Sequence, residues 1–158
     1  MEVINKFRED HRIVRDGLIE LAGALESKDL EKASEVLGKL NKLLGPHFRF
    51  EEEALYPTLR VFLGEYIDQL LNEHDEAIKA AKEVADLISG GAISDEDAKI
   101  AAGKTRALLV HVSNCDGLAI LAERLDEKEI EELWSKFRNL REEGVPLLEW
   151  AEKIRVRT

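Results

Sequence analysis

The chain has four histidines, His11, His47, His74 and His111, and each stands where an apolar repeat asks for a core residue. Imidazoles are costly as mere core filler, because a buried polar ring needs a partner. Neutral rings brought from separate helices to one level can instead bind a metal ion. Glu51 extends the set, since it follows His47 by four residues, a rotation of about 40° that lets both side chains reach one volume a turn apart. Glu52 and Glu53 point away from that face, which predicts solvation for at least one of them, and Tyr56 reads as packing. Cys115, four residues after His111, has two readings. It is either a small buried core residue or a thiolate ligand, and the second would favour zinc or a mononuclear iron.

Helices must position these residues, and spacings of three and four mark them out. In the first segment Ile4, Phe7, His11, Val14, Leu18, Leu21 and Leu25 form one seam. The second opens at Asp29, a good N-cap, and carries Val36, Leu40, Leu43, His47, Phe50 and Ala54 to a bend or end near Pro57. Ile67, Leu70, His74, Ala77, Ala81, Val84 and Ile88 make the third, stopped by Gly90 and Gly91. The fourth follows Ser94 and Asp97, with Ala101, Lys104, Leu108, His111, Cys115, Leu118, Ala122 and Leu125 as its stripe.

Short turns make successive helices antiparallel, and the register can be counted. From a turn near residue 28, His11 lies about 17 residues back and His47 about 19 forward; from one near residue 92, His74 and His111 are each about 18 or 19 away. The predicted fold is all-α: a single domain over 1–158, built as an up-down-up-down four-helix bundle over 1–125 with a C-terminal helical extension over 126–158. That extension starts at a cap on Asp126, carries Ile130, Leu133, Trp134 and Phe137 on one face, and breaks at Gly144-Val145-Pro146 before Trp150. It packs across the bundle or covers a subunit interface, which would make a homo-oligomer through the C-terminal helices; two tryptophans suit either use.

A net charge of −10 disfavours nucleic acid and anionic membrane surfaces as partners and favours a small ligand or an ion. The single cysteine rules out an intrachain disulfide, no apolar run is long enough to span a bilayer, and the expected compartment is the cytoplasm. With 44% hydrophobic and 35% charged residues the chain can bury a core without staples.

The stretch His47-Phe48-Arg49-Phe50-Glu51-Glu52-Glu53-Ala54-Leu55-Tyr56-Pro57 resembles the second-helix motif of the hemerythrin-like, His-His-Glu cation-binding family. Asp10-His11, Glu73-His74-Asp75, and His111 followed by Ala122-Glu123-Arg124-Leu125 agree with it, so the resemblance covers nearly the whole chain. It implies a four-helix bundle holding two non-haem irons, with histidines as terminal ligands and carboxylates bridging the pair. Carried over by position, the ligands are His11, His47, Glu51, His74 and His111, with Asp116 on the fourth helix matching the His-x-x-x-x-Asp spacing of oxygen carriers.

Two positions depart from the family pattern. Many members have Glu where Cys115 stands, and Asp116, about 140° round from His111, needs a local distortion that Gly117 would ease. Oxygen carriers have a histidine where this chain has Ile78, which leaves one iron a ligand short. The function implied is binding or sensing of dioxygen, nitric oxide or peroxide. The alternatives are iron-dependent reduction of peroxide or nitric oxide, iron–sulfur cluster repair, or a degenerate helical interaction module with zinc or no metal.

Overall fold

A computed structural model describes residues 2–157, so the outermost ends of the expected domain, 1 and 158, lie outside the described residues. Among the described residues are eight α-helices: α1 (Glu2–Glu26), α2 (Leu30–Phe50), α3 (Tyr56–Leu63), α4 (Tyr66–Ser89), α5 (Asp95–Ala107), α6 (Leu109–Asp116), α7 (Glu127–Glu143) and α8 (Leu147–Lys153). A π-helical turn, Glu51–Leu55, joins α2 to α3, and a 3₁₀ segment, Gly117–Arg124, follows α6. No strand occurs among the described residues.

The caps fall where the side chains call for them. Asp29 accepts from the Lys32 N–H and Ser94 from the Asp97 N–H, each satisfying a donor that the first helical turn leaves open. Asp126 and Glu129 make a reciprocal capping box on α7, and Gly144 ends that helix in the left-handed region at φ 60°.

α1 packs along α2 and α5 and reaches α6, while α4 lies against α2, α5 and α6. The apolar side chains of the described residues pack in three groups, one under α8 and two on either side of the histidines. Phe7, Phe50, Leu55, Leu59, Ile67, Leu70 and Leu118 fill one end, and Val14, Leu18, Leu21, Leu25, Val36, Leu40 and Val84 fill the other. At roughly 1.5–3 kcal/mol for each large apolar side chain removed from water, these two masses drive the assembly. The histidines occupy the level between them: His11 lies between Phe7 and Val14 on α1, and His47 between Leu40 and Phe50 on α2.

Two helices differ from the periodic reading. Of the bend or end expected near Pro57, the second helix has no end: it passes through the π turn at Glu51–Leu55 and continues as α3 to its cap at Gly64, with Pro57 in the first turn of α3. The fourth is broken after Ala107 and becomes 3₁₀ beyond Asp116. Before the break Ala98, Ala101, Ala102 and Thr105 face inward while Lys104 is exposed, so the stripe there runs one residue out of step with the one through His111 and Cys115.

The C-terminal extension packs across α2 and α4. Trp150 is 1% exposed and sits with Phe48, Ala77, Ile78 and Leu147, so it is a core residue of this chain. Gly45 makes the crossing possible: a Cβ there would lie 2.0 Å from the Val145 carbonyl oxygen and 2.6 Å from the Pro146 carbonyl carbon. Asn41 then accepts from the Leu148 N–H at the start of α8.

Candidate metal centre

The histidines are held by carboxylates arranged in a closed ring around the helices. Asp10 of α1 meets His47 Nδ1 of α2 at 3.0 Å. Glu52 of the π turn meets His74 Nδ1 of α4 at 2.7 Å, Glu73 of α4 meets His111 Nδ1 of α6 at 2.7 Å, and Asp116 of α6 returns to His11 Nδ1 of α1 at 3.0 Å. A carboxylate on Nδ1 places the proton there and leaves Nε2 as the free lone pair. All four Nε2 atoms are thereby committed to the interior.

Glu51 stands at the centre and is fully buried. Its Oε1 lies 3.3 Å from His47 Nε2 and 3.3 Å from His74 Nε2. Two groups of donor atoms, each within 4.8 Å of one another, result: His11, His47 and Glu51 on one side, and Glu51, His74, His111 and Cys115 on the other. Glu51 is common to both. The structure thus brings His11, His47, Glu51, His74 and His111 together, as their spacing predicts. It does not bring Asp116 with them. That side chain is 36% exposed and spans His11 and Arg8, because the turn of helix after His111 carries Cys115, not Asp116, to the interior.

Cys115 Sγ is 3.3 Å from His111 Nε2 and 3.1 Å from the Tyr56 hydroxyl. Tyr56 also donates to Glu51 Oε2 at 3.2 Å and lies 3.2 Å from His74 Nε2. A regular helix would have kept it away. Nine residues after His47 is about half a turn out of phase, and the π turn, closed by the Tyr56 N–H on the Glu51 carbonyl, absorbs one residue and swings Tyr56 and Glu52 inward. Of Glu52 and Glu53, Glu53 is exposed, which meets the expectation that at least one is solvated, while Glu52 turns inward with its side chain 7% exposed. Ile78 packs with Phe48, Leu147 and Trp150 under α8 and belongs to neither group.

The electrostatics follow from burial among these charges. For Glu51, burial raises the pKa, but His47, His74 and His111 outweigh it and hold the carboxyl well below its usual range. Burial pushes the Cys115 thiol and the Tyr56 phenol well up, and the negative charge of Glu51 adds to both. Both groups therefore keep their protons at neutral pH unless a cation displaces them. His111 is lowered to about 4, first by burial and then by His74. At His74 burial is outweighed by Glu51 and Glu52, and the net direction is up.

The buried side-chain atoms without a hydrogen-bond partner among the described residues are Trp150 Nε1 in the core under α8 and, in the site, His11 Nε2 and Glu51 Oε1. An unpaired buried acceptor costs about 1–3 kcal/mol, and the two acceptors, His11 Nε2 and Glu51 Oε1, belong to the donor groups, so the residues fit a cation. A cavity of about 30 Å³ is lined by His11, His47, His111 and Cys115 together with apolar side chains such as Leu18 and Phe48. That is room for a water or a diatomic molecule.

Sequence reading missed Asp10, Glu52, Glu73 and Tyr56 as parts of the site. For two of them a signal existed: Asp10 and Glu73 directly precede His11 and His74. A residue about 100° back from an inward histidine faces the neighbouring helix, where the next histidine needs its partner. Glu52 and Tyr56 gave no such signal, because a π turn breaks the count.

The family model described as Hemerythrin HHE cation binding domain matches residues 2–120. A curated protein of Nostoc sp. (strain PCC 7120 / SAG 25.82 / UTEX 2576), named DNA nickase, is 34% identical over 97 residues, 61% of this chain. The chain spans only 27% of that protein's length. No solved structure matches it.

Proposed function

The chain belongs to the hemerythrin HHE cation-binding family, and from that premise we propose that it holds two irons, for which Glu51 would be the shared carboxylate ligand, and binds or senses a small ligand such as dioxygen, nitric oxide or peroxide. In this reading the chain is one domain in the cytoplasm, and α1, α2, α4 and the α5–α6 pair are the helices of an up-down-up-down four-helix bundle closed by the extension. The observation that carries it is the ring of four carboxylates on four Nδ1 atoms, which aims every Nε2 at the two groups sharing Glu51.

Bound there, the cations would supply Lewis acidity and one-electron redox capacity. The chain's own residues do the rest. His11, His47 and Glu51 would hold one ion, and His74, His111 and Glu51 the other. Leu18, Leu44, Phe48 and Leu108 keep bulk water from the cavity they line. Tyr56, protonated at neutral pH, places a hydroxyl proton beside Glu51 and His74.

No helix among the described residues is long and apolar enough to cross a membrane. Nicking of DNA is not carried over from the Nostoc protein, because a net charge of −10 opposes approach to a polyanion.

Cys115 supports a second reading. It completes a four-donor group with Glu51, His74 and His111, and two nitrogens, an oxygen and a sulfur suit a single zinc or a mononuclear iron. Elemental analysis of protein produced with iron at low oxygen, with absorption spectra before and after air, separates the two. Two irons per chain and a new near-ultraviolet band on oxidation are expected from the bridged pair; one zinc, or no metal, refutes it. A sulfur-to-metal charge-transfer band on Co²⁺ loading, lost in Cys115→Ser, marks the thiolate site instead. Sustained turnover of peroxide or nitric oxide, or transfer of iron to a damaged iron–sulfur cluster, would place the chain among enzymes, and a metal-free chain that binds a protein partner would make it an interaction module.

A further inference from the structure

Each carboxylate of the ring is itself held from outside: Asp116 by Arg8, Glu73 by Asn114, Asp10 by Arg141 and Glu52 by Arg155. The first two partners lie within the family-matched span 2–120, and the last two lie beyond it. We propose that Arg141 and Arg155 make the C-terminal extension a positioning element of the metal centre, fixing His47 and His74 through Asp10 and Glu52. This rests on the cation-binding reading above.

Arg155 is the stronger case. Its side chain is 8% exposed and that of Glu52 is 7% exposed. Its Nε lies 3.0 Å from Glu52 Oε1 and 3.2 Å from Oε2, and a terminal nitrogen lies 2.9 Å from Oε2. Its other terminal nitrogen reaches Asp75 at 2.8 Å, and the guanidinium carbon sits 5.7 Å from the centre of the Trp150 ring. A planar fork held on several sides leaves Glu52 one orientation, with Oε2 on His74 Nδ1 at 2.7 Å. The chain is thus His74, Glu52, Arg155, with His74 fully buried and the other two side chains largely withdrawn from solvent.

The extension also holds the face of the same ring. Phe48 stacks on His74 with centroids 3.8 Å apart, and Phe48 packs against Leu147 and Trp150 of α8. His74 is therefore fixed by edge and by face through one element. The seat for that element is built into α2, where Gly45 admits the Val145–Leu147 backbone. On α7, Arg141 lies over the Phe137 ring at 4.7 Å and donates to Asp10 Oδ2, the same oxygen that meets His47 Nδ1.

The test uses the full chain and Co²⁺, reading its release into excess chelator and its visible bands at saturation, which report donor geometry. Arg155→Met and Arg155→Lys are compared with Arg60→Met, which removes an exposed bridge to Asp68. Loss of an outer partner of a ligating histidine typically costs about 10–100-fold in affinity. Arg155→Met is expected to release one Co²⁺ about 10–100-fold faster with shifted bands, Arg155→Lys to fall between it and wild type, and Arg60→Met to match wild type. A folded Arg155→Met indistinguishable from wild type in rate and bands, or an equal effect of Arg60→Met, overturns the inference. Should Arg155→Met lose its helical circular dichroism, Arg155→Lys decides, and unchanged rate and bands there overturn it too. Wild-type protein that takes up no Co²⁺ overturns the cation-binding reading and this inference with it; uptake with unchanged variants overturns this inference alone.

Discussion

Glu51→Gln is the perturbation that tests the shared centre most directly. The substitution keeps the shape of the side chain and an oxygen to accept from Tyr56, whose hydroxyl lies 3.2 Å from Oε2, while removing the charge. Because Glu51 belongs to both donor groups, its loss should fall on both cations. A charge-assisted contact is worth about 1.5–3 kcal/mol, and 1.4 kcal/mol is a factor of ten. Each cation should therefore bind roughly 10–150-fold more weakly, about 3–6 kcal/mol over the pair. His11→Ala is the contrasting variant, since His11 belongs to one group only, and it should weaken one cation and spare the other.

Competitive chelator titration with Fe²⁺ under anaerobic conditions, with metal-to-protein ratios by elemental analysis, reads both affinities, and far-ultraviolet circular dichroism shows whether the helices persist. Loss confined to one cation in Glu51→Gln, with the second held within twofold of wild type, would mean that Glu51 does not bridge. Equal loss of both cations in His11→Ala would refute the division into two groups.

Two further outcomes are expected. Gly45→Ala drives a Cβ to 2.0 Å from the Val145 carbonyl, and overpacking of this kind costs about 1–3 kcal/mol; a lower thermal midpoint is expected, and an unchanged one refutes the close crossing. In the metal-free protein His111 titrates near 4, through burial and the neighbouring His74. The unfolded chain, with imidazole near about 6.5, binds that proton first, so this residue's contribution to stability falls as pH drops from about 6.5 towards about 4. His74 is raised, because Glu51 and Glu52 outweigh burial, so its contribution is complete below about 6.5 and is lost as pH rises through its folded value. Nitrogen-15 titration of the two rings checks the order, and a His111 midpoint above that of His74 would sink the account.

The parts of this molecule legible in the sequence are those governed by a constant 3.6-residue period. His11 and His74 lie within uninterrupted helices, and the apolar residues around them place both rings inward without ambiguity. Asp29, Ser94 and Asp126 as caps, and Gly144 as a stop, were equally legible because capping is local chemistry between neighbours in sequence. Trp150 was not, since nothing within several residues of it says whether a tryptophan near a chain end meets its own core or another chain. That answer lay in Gly45, about a hundred residues earlier, as a missing side chain.

The metal centre itself is where the period fails. Regular helices present one inward residue in three or four, too few to supply a carboxylate shared by both donor groups, its tyrosine partner and an outer carboxylate from one stretch of eleven residues, His47 to Pro57. The π turn at Glu51–Leu55 changes that arithmetic, turning Glu51, Glu52 and Tyr56 all inward. The break after Ala107 does the corresponding work on the other side, resetting the face so that His111 and Cys115 are both buried while Asp116 turns back towards His11. Each irregularity costs backbone hydrogen bonding, and each sits within four residues of a proposed ligand, so the distortions and the donors are one feature. A variant that regularised either turn would keep its helix and lose its side of the site.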